Sequence, residues 1–566
     1  MIRIFSTLVR NLFALLFLPL LVLRRKRAAP PGAWLEVEIE GSVVELERWQ
    51  PFWMRQKRGF SLDTLRRAIE QAAADPRVTG LLVVLKDLKV GSATATSLRA
   101  LLLEARRSGK RVTVYLPDGA GTRAVYVASA AERVLLGPET FVAPLGFAVE
   151  SAYVHDALQR LGVVPEVFAR GRYKSAGESL VRQTMSDAQR EQLGALLDVA
   201  WDVLLGALSE GRSVDRERAQ HWVENGPWSA RDAVEQGLAD AQAYRDELSK
   251  QLAPELPEGA PLVSMKRYLR RRSPPFRAIR RPPRIAVVEV KGPIVSEHVG
   301  MAPVAAEDEV VAALDRAREN PRYRGAVICV DSPGGSALAS DRMLHALRRL
   351  ADTKPVVASM GDAAASGGYM IAVGAHAIVA QPTTITGSIG VISARVLLEP
   401  LLERLGISVE VVKRGARADM LSPNRQLEAG ERAAVERQLE DIYQSFLRAV
   451  ARGRAREVSE IEPLAGGRVW SGRDAQRHGL VDHLGGFERA LELVREKLEP
   501  GLGKLEPELV SAAHWRPRRG LLPRFMQHTE LLGGTVPAWL GLVFAAGARR
   551  ERGYLWCGYT ETDLGR

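Results

Sequence analysis

"VVASMGDAAASGGYMIAVG" runs from Val356 to Gly374. It opens as a short apolar strand and passes through three alanines. After Ser366, Gly367 and Gly368 it resumes as an apolar run of helical character. A strand feeding a helix through a turn of small residues is the building unit of an α/β fold. The turn also sets one hydroxyl at a helix N-terminus, where the positive end of the dipole favours an alkoxide or oxyanion. Read as a helix N-cap, the same serine is worth about 1 kcal/mol and needs no chemistry. On this stretch alone the two readings balance.

Working outward, "IAVVEV" (Ile285 to Val290), "AVICV" (Ala326 to Val330) and "AIVA" (Ala377 to Ala380) are further short apolar runs. Such runs suit strands buried on both faces. Between the second run and Val356 lies "ALASDRMLHALRRLAD", with Met343, Leu344, Leu347 and Leu350 at helical spacing. Strands alternating with helices imply right-handed crossovers and stacked, largely parallel sheets.

The pattern occurs twice. "WSARDAVEQGLAD" begins at Trp228 and "WSGRDAQRHGLVD" at Trp470, an offset of 242 residues. Ser229/Ser471, Asp232/Asp474, Ala233/Ala475, Gly237/Gly479, Leu238/Leu480 and Asp240/Asp482 all obey it. Upstream the offset is 244, for Asp87/Asp331, Gly91/Gly335, Ser92/Ser336, Pro138/Pro382 and Gly146/Gly390. The chain therefore reads as a tandem duplication. Copy one is expected over 34–262 and copy two over 285–498, with an N-terminal segment 1–33 and a tail 499–566. A basic linker, 263–284, joins the copies. Its "KRYLRRRSPPFRAIRRPPR" (Lys266 to Arg284) holds nine Lys and Arg and no acid.

Composition narrows the function. At 566 residues the chain needs two to four domains. Hydrophobic content of 46% with 26% charged residues argues against disorder and against a polytopic membrane protein. The net charge of +12 is concentrated in the linker, which reads as solvated or as lying on anionic lipid. No aromatic platform or helix-turn-helix pattern accompanies it, so no nucleic-acid partner is expected. Two cysteines and nine scattered histidines offer neither a disulfide framework nor metal-ligand spacing. No metal and no cofactor are expected.

"LFALLFLPLLVL" (Leu12 to Leu23) is an uninterrupted apolar run, shorter than the roughly 20 residues of a full span. Arg10 precedes it, and Arg24, Arg25, Lys26 and Arg27 follow. No small-residue cleavage site follows, so an uncleaved anchor or interfacial helix is expected. Charge on both flanks leaves the orientation open. Leu531 to Ala548 is apolar but broken by Gly and Pro, and reads as buried tail packing. A segment masking the active groove is the alternative.

Chemistry is expected at two turns. "DSPGGS" (Asp331 to Ser336) follows a buried strand, and its glycines allow close approach of a substrate and amides facing an oxyanion. Alone it reads equally as a tight turn. Ser366 needs a base at neutral pH. His376 lies ten residues on and points elsewhere along the axis. The alternative base is a lysine whose ammonium is disfavoured by burial. "GRYKSAG" holds Lys174 among small or apolar neighbours, though most lysines are simply exposed.

Taken together, "DSPGGSALAS", "SMGDAAASGGYMIAVGA", "TGSIGVI" (Thr386 to Ile392), "GRYKSA" and "VWSGRDAQRHGLVDHLG" resemble bacterial signal peptide peptidase A in its long, duplicated form, over roughly residues 34 to 500. The resemblance implies two tandem ClpP/crotonase-like α/β domains and a Ser-Lys dyad, a variant of the triad logic. Position by position it makes Ser366 the nucleophile and Lys174 the general base. It makes Ser388 the residue that orients the lysine, and puts Gly334, Gly335 and Gly367 in the oxyanion region. It further implies hydrophobic peptide substrates such as cleaved signal peptides, and a homo-oligomer, a tetramer in that family. The implied location is the bacterial inner membrane, with periplasmic peptidase domains. The basic cluster Arg24 to Arg27 departs from that placement.

The duplication tests the carry-over. Lys174 maps forward by 244 to Ala418; Ser366 maps back to Thr122 and Ser388 to Pro144. Copy one keeps the lysine and lacks the serine, and copy two the reverse. A dyad crossing between copies, within one chain or between two, is expected. Lys413 in "VVKRG" is a weaker candidate inside copy two. The expected function is a membrane-associated serine endopeptidase. A crotonase-like acyl-CoA enzyme and a catalytically idle membrane scaffold are the alternatives.

Overall fold

The computed structural model describes residues 2–19, 25, 27–47, 59–272, 276, 282–297, 304–498 and 505–510. Its architecture is α/β, built on two large sheets, one per copy. In the first, the strands run 241–242, 133–136, 111–116, 78–89, 33–44 and 262–264 across the sheet, every pair parallel. In the second, Arg284–Lys291, Tyr323–Ser332 and Val356–Ala365 form the centre, again in parallel. The four apolar runs of copy two are these strands together with Ala377–Ala380. Ala326, Val327, Ile328 and Val330 are all fully buried, because helices cover both faces of the sheet.

The helix expected after "DSPGGS" spans Ala337–Ala351 and buries Met343, Leu344, Leu347 and Leu350 against the sheet. Burying an aliphatic side chain of this size is worth about 1.5–3 kcal/mol, so that one stripe fixes the helix in place. Ser336 caps it, accepting a hydrogen bond from the Ala339 N–H.

Strand register reproduces the duplication. Ala120 pairs with Val142 in copy one, as Ala364 pairs with Thr386 in copy two, both offset by 244. Phe141 pairs with Ser229, and Ile385 with Ser471, an antiparallel step carrying the second offset of 242. Residues 262–272, at the edge of the segment read as a linker, form a strand beside Ala33–Val44 and a helix, Met265–Arg272. The helix is anchored by the buried Tyr268, which donates to Asp75 Oδ2. In copy two, Pro507–Leu509 takes the matching edge position beside Arg284–Lys291.

Two helices bear on the membrane question. The N-terminal helix Ile2–Leu16 exposes Phe5, Leu12, Phe13, Leu15 and Leu16. Among the described residues, one helix, Asp187–Arg212, is long and apolar enough to cross a membrane by length and composition. It buries Leu204, Leu205 and Leu208 in the core of copy one, as a core helix of a folded domain does. The basic cluster lies partly, and the apolar stretch 531–548 wholly, outside the described residues.

The copies are joined by a seam. Strand Val164–Arg170 of copy one pairs antiparallel with Val391–Leu397 of copy two, from Val391 opposite Arg170 to Leu397 opposite Val164. A second junction between the copies lies at Asp362, which accepts from the N–H (3.0 Å) and hydroxyl (2.7 Å) of Thr94. Thr94 lies in the first turn of helix Ser92–Arg107, whose own N-cap, Gly91, has no side chain to offer. A carboxylate there satisfies an orphan amide and complements the helix dipole.

Candidate active site

The seam delivers a lysine to a serine. Strand Val164–Arg170 gives way at Gly171 to a loop that carries Lys174, 9% exposed. Its Nζ lies 3.2 Å from Ser366 Oγ, 3.0 Å from Ser388 Oγ and 3.1 Å from the Ser388 carbonyl oxygen. All of these contacts lie within one chain and bridge the two copies.

Ser366 stands at the end of strand Val356–Ala365 and the start of helix Gly367–Ala372, with φ 53° and ψ −119°. An L-residue rarely adopts that backbone, and holding one there costs about 1–3 kcal/mol. Its side chain makes no capping hydrogen bond to the helix. The N-cap reading of the sequence is thereby set aside: Oγ is turned toward Lys174. The strained turn is fixed on both sides. Ser366 N–H donates to the Gly387 carbonyl, and the Ser366 carbonyl accepts from Met370 N–H.

Ser388 also has a positive φ, 52°, and its N–H donates to the Arg468 carbonyl. This holds both its hydroxyl and its carbonyl on the amine. Gly334 approaches so closely that a Cβ there would stand 2.7 Å from Ser366 Cβ and 2.9 Å from Gly367 N. Gly334 N–H is already given to Ser332 Oγ, so Gly334 supplies room. Gly335 is held by Ile294, whose carbonyl takes the Ser336 N–H and whose N–H donates to the Gly334 carbonyl.

The lysine loop is clamped by residues that sequence reasoning did not single out. Gly467, at φ 81°, lies against Lys174, and a Cβ on it would fall 2.6 Å from both Lys174 N and Lys174 Cβ. Tyr173 N–H donates to the Gly466 carbonyl. Gln192 reaches from helix Asp187–Arg212 to donate to the Tyr173 carbonyl and Ser175 Oγ, and it accepts from Val469 N–H. The one trace in the sequence is "AGGRVWS": Gly466 and Gly467 stand where copy one, at the offset of 242, has Glu224 and Asn225.

The other sequence candidates lie elsewhere. Lys413 is exposed and engages Asp419 Oδ1 and the Ala416 carbonyl. His376 Nδ1 meets the Val356 N–H at the far end of the strand from Ser366. In copy one, Thr122 donates its hydroxyl to the Gly146 carbonyl and Pro144 takes the place of Ser388. Among the described residues no cluster of His, Cys, Asp or Glu is arranged to hold a metal ion.

Comparison with known proteins gives the family. The model of peptidase family S49 matches residues 104–256 and 348–499, once in each copy. "Serine protease SPPA, chloroplastic" of Arabidopsis thaliana is 33% identical, with 84% of this chain and 70% of that protein covered. "Protease 4" of Haemophilus influenzae is 30% identical over 75% of this chain and 71% of its own, and "Protease 4" of Salmonella typhi 32% identical over 78% and 74%. Two family matches separated as the internal repeat is, and relatives that span most of both copies, lead to one conclusion: the chain belongs to peptidase family S49 and is a serine protease.

Proposed function

We infer that the chain is a membrane-associated endopeptidase working through a Ser-Lys dyad, with Ser366 as nucleophile and Lys174 as general base. The observation that carries this reading is the Lys174 amine within hydrogen-bonding reach of both Ser366 Oγ and Ser388 Oγ. Ser366 Oγ attacks the peptide carbonyl carbon while neutral Lys174 takes its proton. The carbonyl becomes an oxyanion, stabilised by the backbone amides of Gly335 and Gly367. On collapse the C–N bond breaks, and Lys174 returns the proton to the leaving amine. Water, deprotonated by the same amine, then attacks the ester, releases the acid and restores Ser366. Ser388 holds the lysine in line throughout.

The substrates are hydrophobic peptides, cleaved signal peptides among them. The apolar face of the N-terminal helix supports a position at the membrane, where such peptides accumulate. Cleavage of an internally quenched apolar peptide by the full chain in detergent tests the reading. Turnover that disappears in both Ser366→Ala and Lys174→Ala is the expected result. Turnover of an acyl-CoA thioester, with the peptide left intact, favours the crotonase-type alternative.

A further inference from the structure

Arg468 touches both sides of the site. Its carbonyl accepts the Ser388 N–H at 2.7 Å, which fixes the turn that presents Ser388 to the lysine. Its guanidinium lies between two rings, 4.8 Å from the centroid of Tyr173 in copy one and 4.4 Å from that of Trp470 in copy two. Nη1 donates to the Tyr173 hydroxyl at 3.2 Å and to Glu191 Oε1 at 2.7 Å. Tyr173 donates in turn to Glu191, on helix Asp187–Arg212 of copy one. Tyr173 immediately precedes Lys174. Trp470 pairs with Thr386, and a Cβ on Gly387 would stand 2.8 Å from Trp470 Cδ1; the Gly387 carbonyl takes the Ser366 N–H. One residue thus reaches Lys174 through Tyr173, Ser366 through Trp470 and Gly387, and Ser388 through its own backbone.

Copy one shows that the fold does not require this arginine. At the offset of 242 the counterpart of Arg468 is Gly226. Trp228 is nonetheless seated as Trp470 is. Its Nε1–H donates to the Trp222 carbonyl at 2.8 Å, and that of Trp470 to the Leu464 carbonyl, the matching position, at 3.0 Å. Each tryptophan also pairs with the matching strand residue, Val142 and Thr386. What copy one lacks is the pair of hydroxyls: Thr122 stands for Ser366, and Pro144, in place of Ser388, has no N–H to give. The arginine accompanies the serines, not the tryptophan seat. A cation over an aromatic face is held by the ring quadrupole, more firmly where water is partly excluded. Arg468 is 20% exposed, and its planar fork serves two rings and two acceptors at once, which a lysine cannot do.

We propose that Arg468 is a positioning residue for the reaction, locking the Lys174 loop of copy one onto the Ser366 and Ser388 turns of copy two so that the amine stays within reach of both hydroxyls. The role rests on the Ser-Lys reading of the site. Arg468 acts through Tyr173, Trp470 and the Ser388 backbone, not on the reacting atoms. Its loss leaves the nucleophile and base in place but loosens their alignment, and a displacement of about 1 Å at a reacting group costs on the order of 100-fold in rate.

Arg468→Gln keeps the backbone carbonyl and removes the cation. In the full-length chain in detergent, assayed well below its Tm, it lowers kcat on an apolar peptide about tenfold or more, with KM changed by less than about twofold. Phosphonate labelling of Ser366 slows by the same factor. Arg218→Gln is the control: in copy one Arg218 lies over the Trp222 ring at 6.0 Å, and its loss lowers Tm without moving kcat. In a Tyr173→Leu chain, Arg468→Gln costs less than it does in the wild-type background, because the path through the ring is already cut. Should Arg468→Gln not fold, Glu191→Gln, at a half-exposed carboxylate, carries the test with the same loss confined to kcat. A wild-type kcat in the folded variant, a loss carried by KM, or fully multiplicative losses with Tyr173→Leu overturns the proposal. A wild type that takes up no label, or Lys174→Ala labelled as fast as wild type, overturns the Ser-Lys reading and this role with it.

Discussion

Lys174 Nζ and Ser366 Oγ stand 3.2 Å apart across 192 residues of sequence. One partner comes from each copy, and the strand pair Val164–Arg170 with Val391–Leu397 holds them together. The duplication thus has a division of labour: copy one brings the amine, copy two the hydroxyl and the surrounding amides.

The backbone at Ser366 is strained for the sake of its side chain. Ser366→Gly removes the proposed nucleophile and relaxes φ 53°, ψ −119°, a conformation glycine adopts freely. Calorimetry is expected to show a higher Tm than wild type, by about 2–4 °C per kcal/mol released. Ser366→Ala keeps the strain and gains no such rise. Both are inactive.

Ser388→Ala removes one of the contacts on the lysine and leaves the Ser388 carbonyl at 3.1 Å. A hydrogen bond to a charged group, here the ammonium that forms as Lys174 takes the proton, is worth about 1.5–3 kcal/mol. Steady-state kinetics are expected to show kcat lowered roughly 10- to 100-fold with KM little changed, since the hydroxyl faces the base.

Gly467→Ala puts a methyl 2.6 Å from the Lys174 backbone. A displacement of about 1 Å at a reacting group costs on the order of 100-fold in rate, and kcat/KM is expected to fall by at least that. Gly237→Ala is the control: it has a similar φ, 78°, but open space around it, and so carries the backbone strain alone. Equal losses in the two variants would remove the case for a packing role of Gly467.

These predictions rest on features of unequal legibility in the sequence. The strands and the helix Ala337–Ala351 were readable because their apolar residues fall at the spacing of a buried sheet and a one-sided helix. The meeting of Lys174 with Ser366 was readable through motif order, and the repeat offset put the lysine in one copy and the serine in the other. The clamp from Gly467 and Gln192 left only a glycine pair as a trace, because its contacts depend on a distant loop approaching the Lys174 backbone and on a side-chain amide reaching in from helix Asp187–Arg212. The Asp362–Thr94 contact escaped for a similar reason: a helix N-terminus with glycine at its cap gives no hint that its carboxylate comes from the other copy. The offset contained the pairing of Val164–Arg170 with Val391–Leu397, but no residue type in either strand announces its partner.

Asp362→Ala uncaps helix Ser92–Arg107 and leaves the Thr94 amide and hydroxyl unpaired. Loss of a capping acceptor costs about 0.5–2 kcal/mol. Denaturant unfolding is expected to show a midpoint lowered accordingly, with Asp362→Asn falling between the alanine variant and wild type.

A cavity of about 80 Å³ lies between the copies, lined by Glu45, Thr94 and Ser97 on one side and Glu289, Lys291, Cys329 and Asp331 on the other. Burial pushes the Glu45 carboxyl up to about 8, with Glu488, Asp63 and Glu289 adding to the rise and Arg66 opposing it. An acid raised in the folded state binds its proton there while the unfolded chain has lost it. Stability is therefore expected to fall as pH rises from about 5 to 8, by at most about 1.4 kcal/mol per pH unit for this group. Glu45→Gln is expected to make thermal unfolding less pH-dependent and to raise Tm at pH 8 more than at pH 5. Glu488, raised to about 7, keeps part of the slope.

The dyad itself is tested most directly by the rate at which a serine-directed phosphonate labels the full-length chain, with the modified residue located by mass spectrometry. Labelling at Ser366 in wild type is expected, with none in Ser366→Ala and a rate at least 100-fold slower in folded Lys174→Ala. A folded wild type that takes up no label, or a Lys174→Ala chain labelled at Ser366 as fast as wild type, would contradict the account.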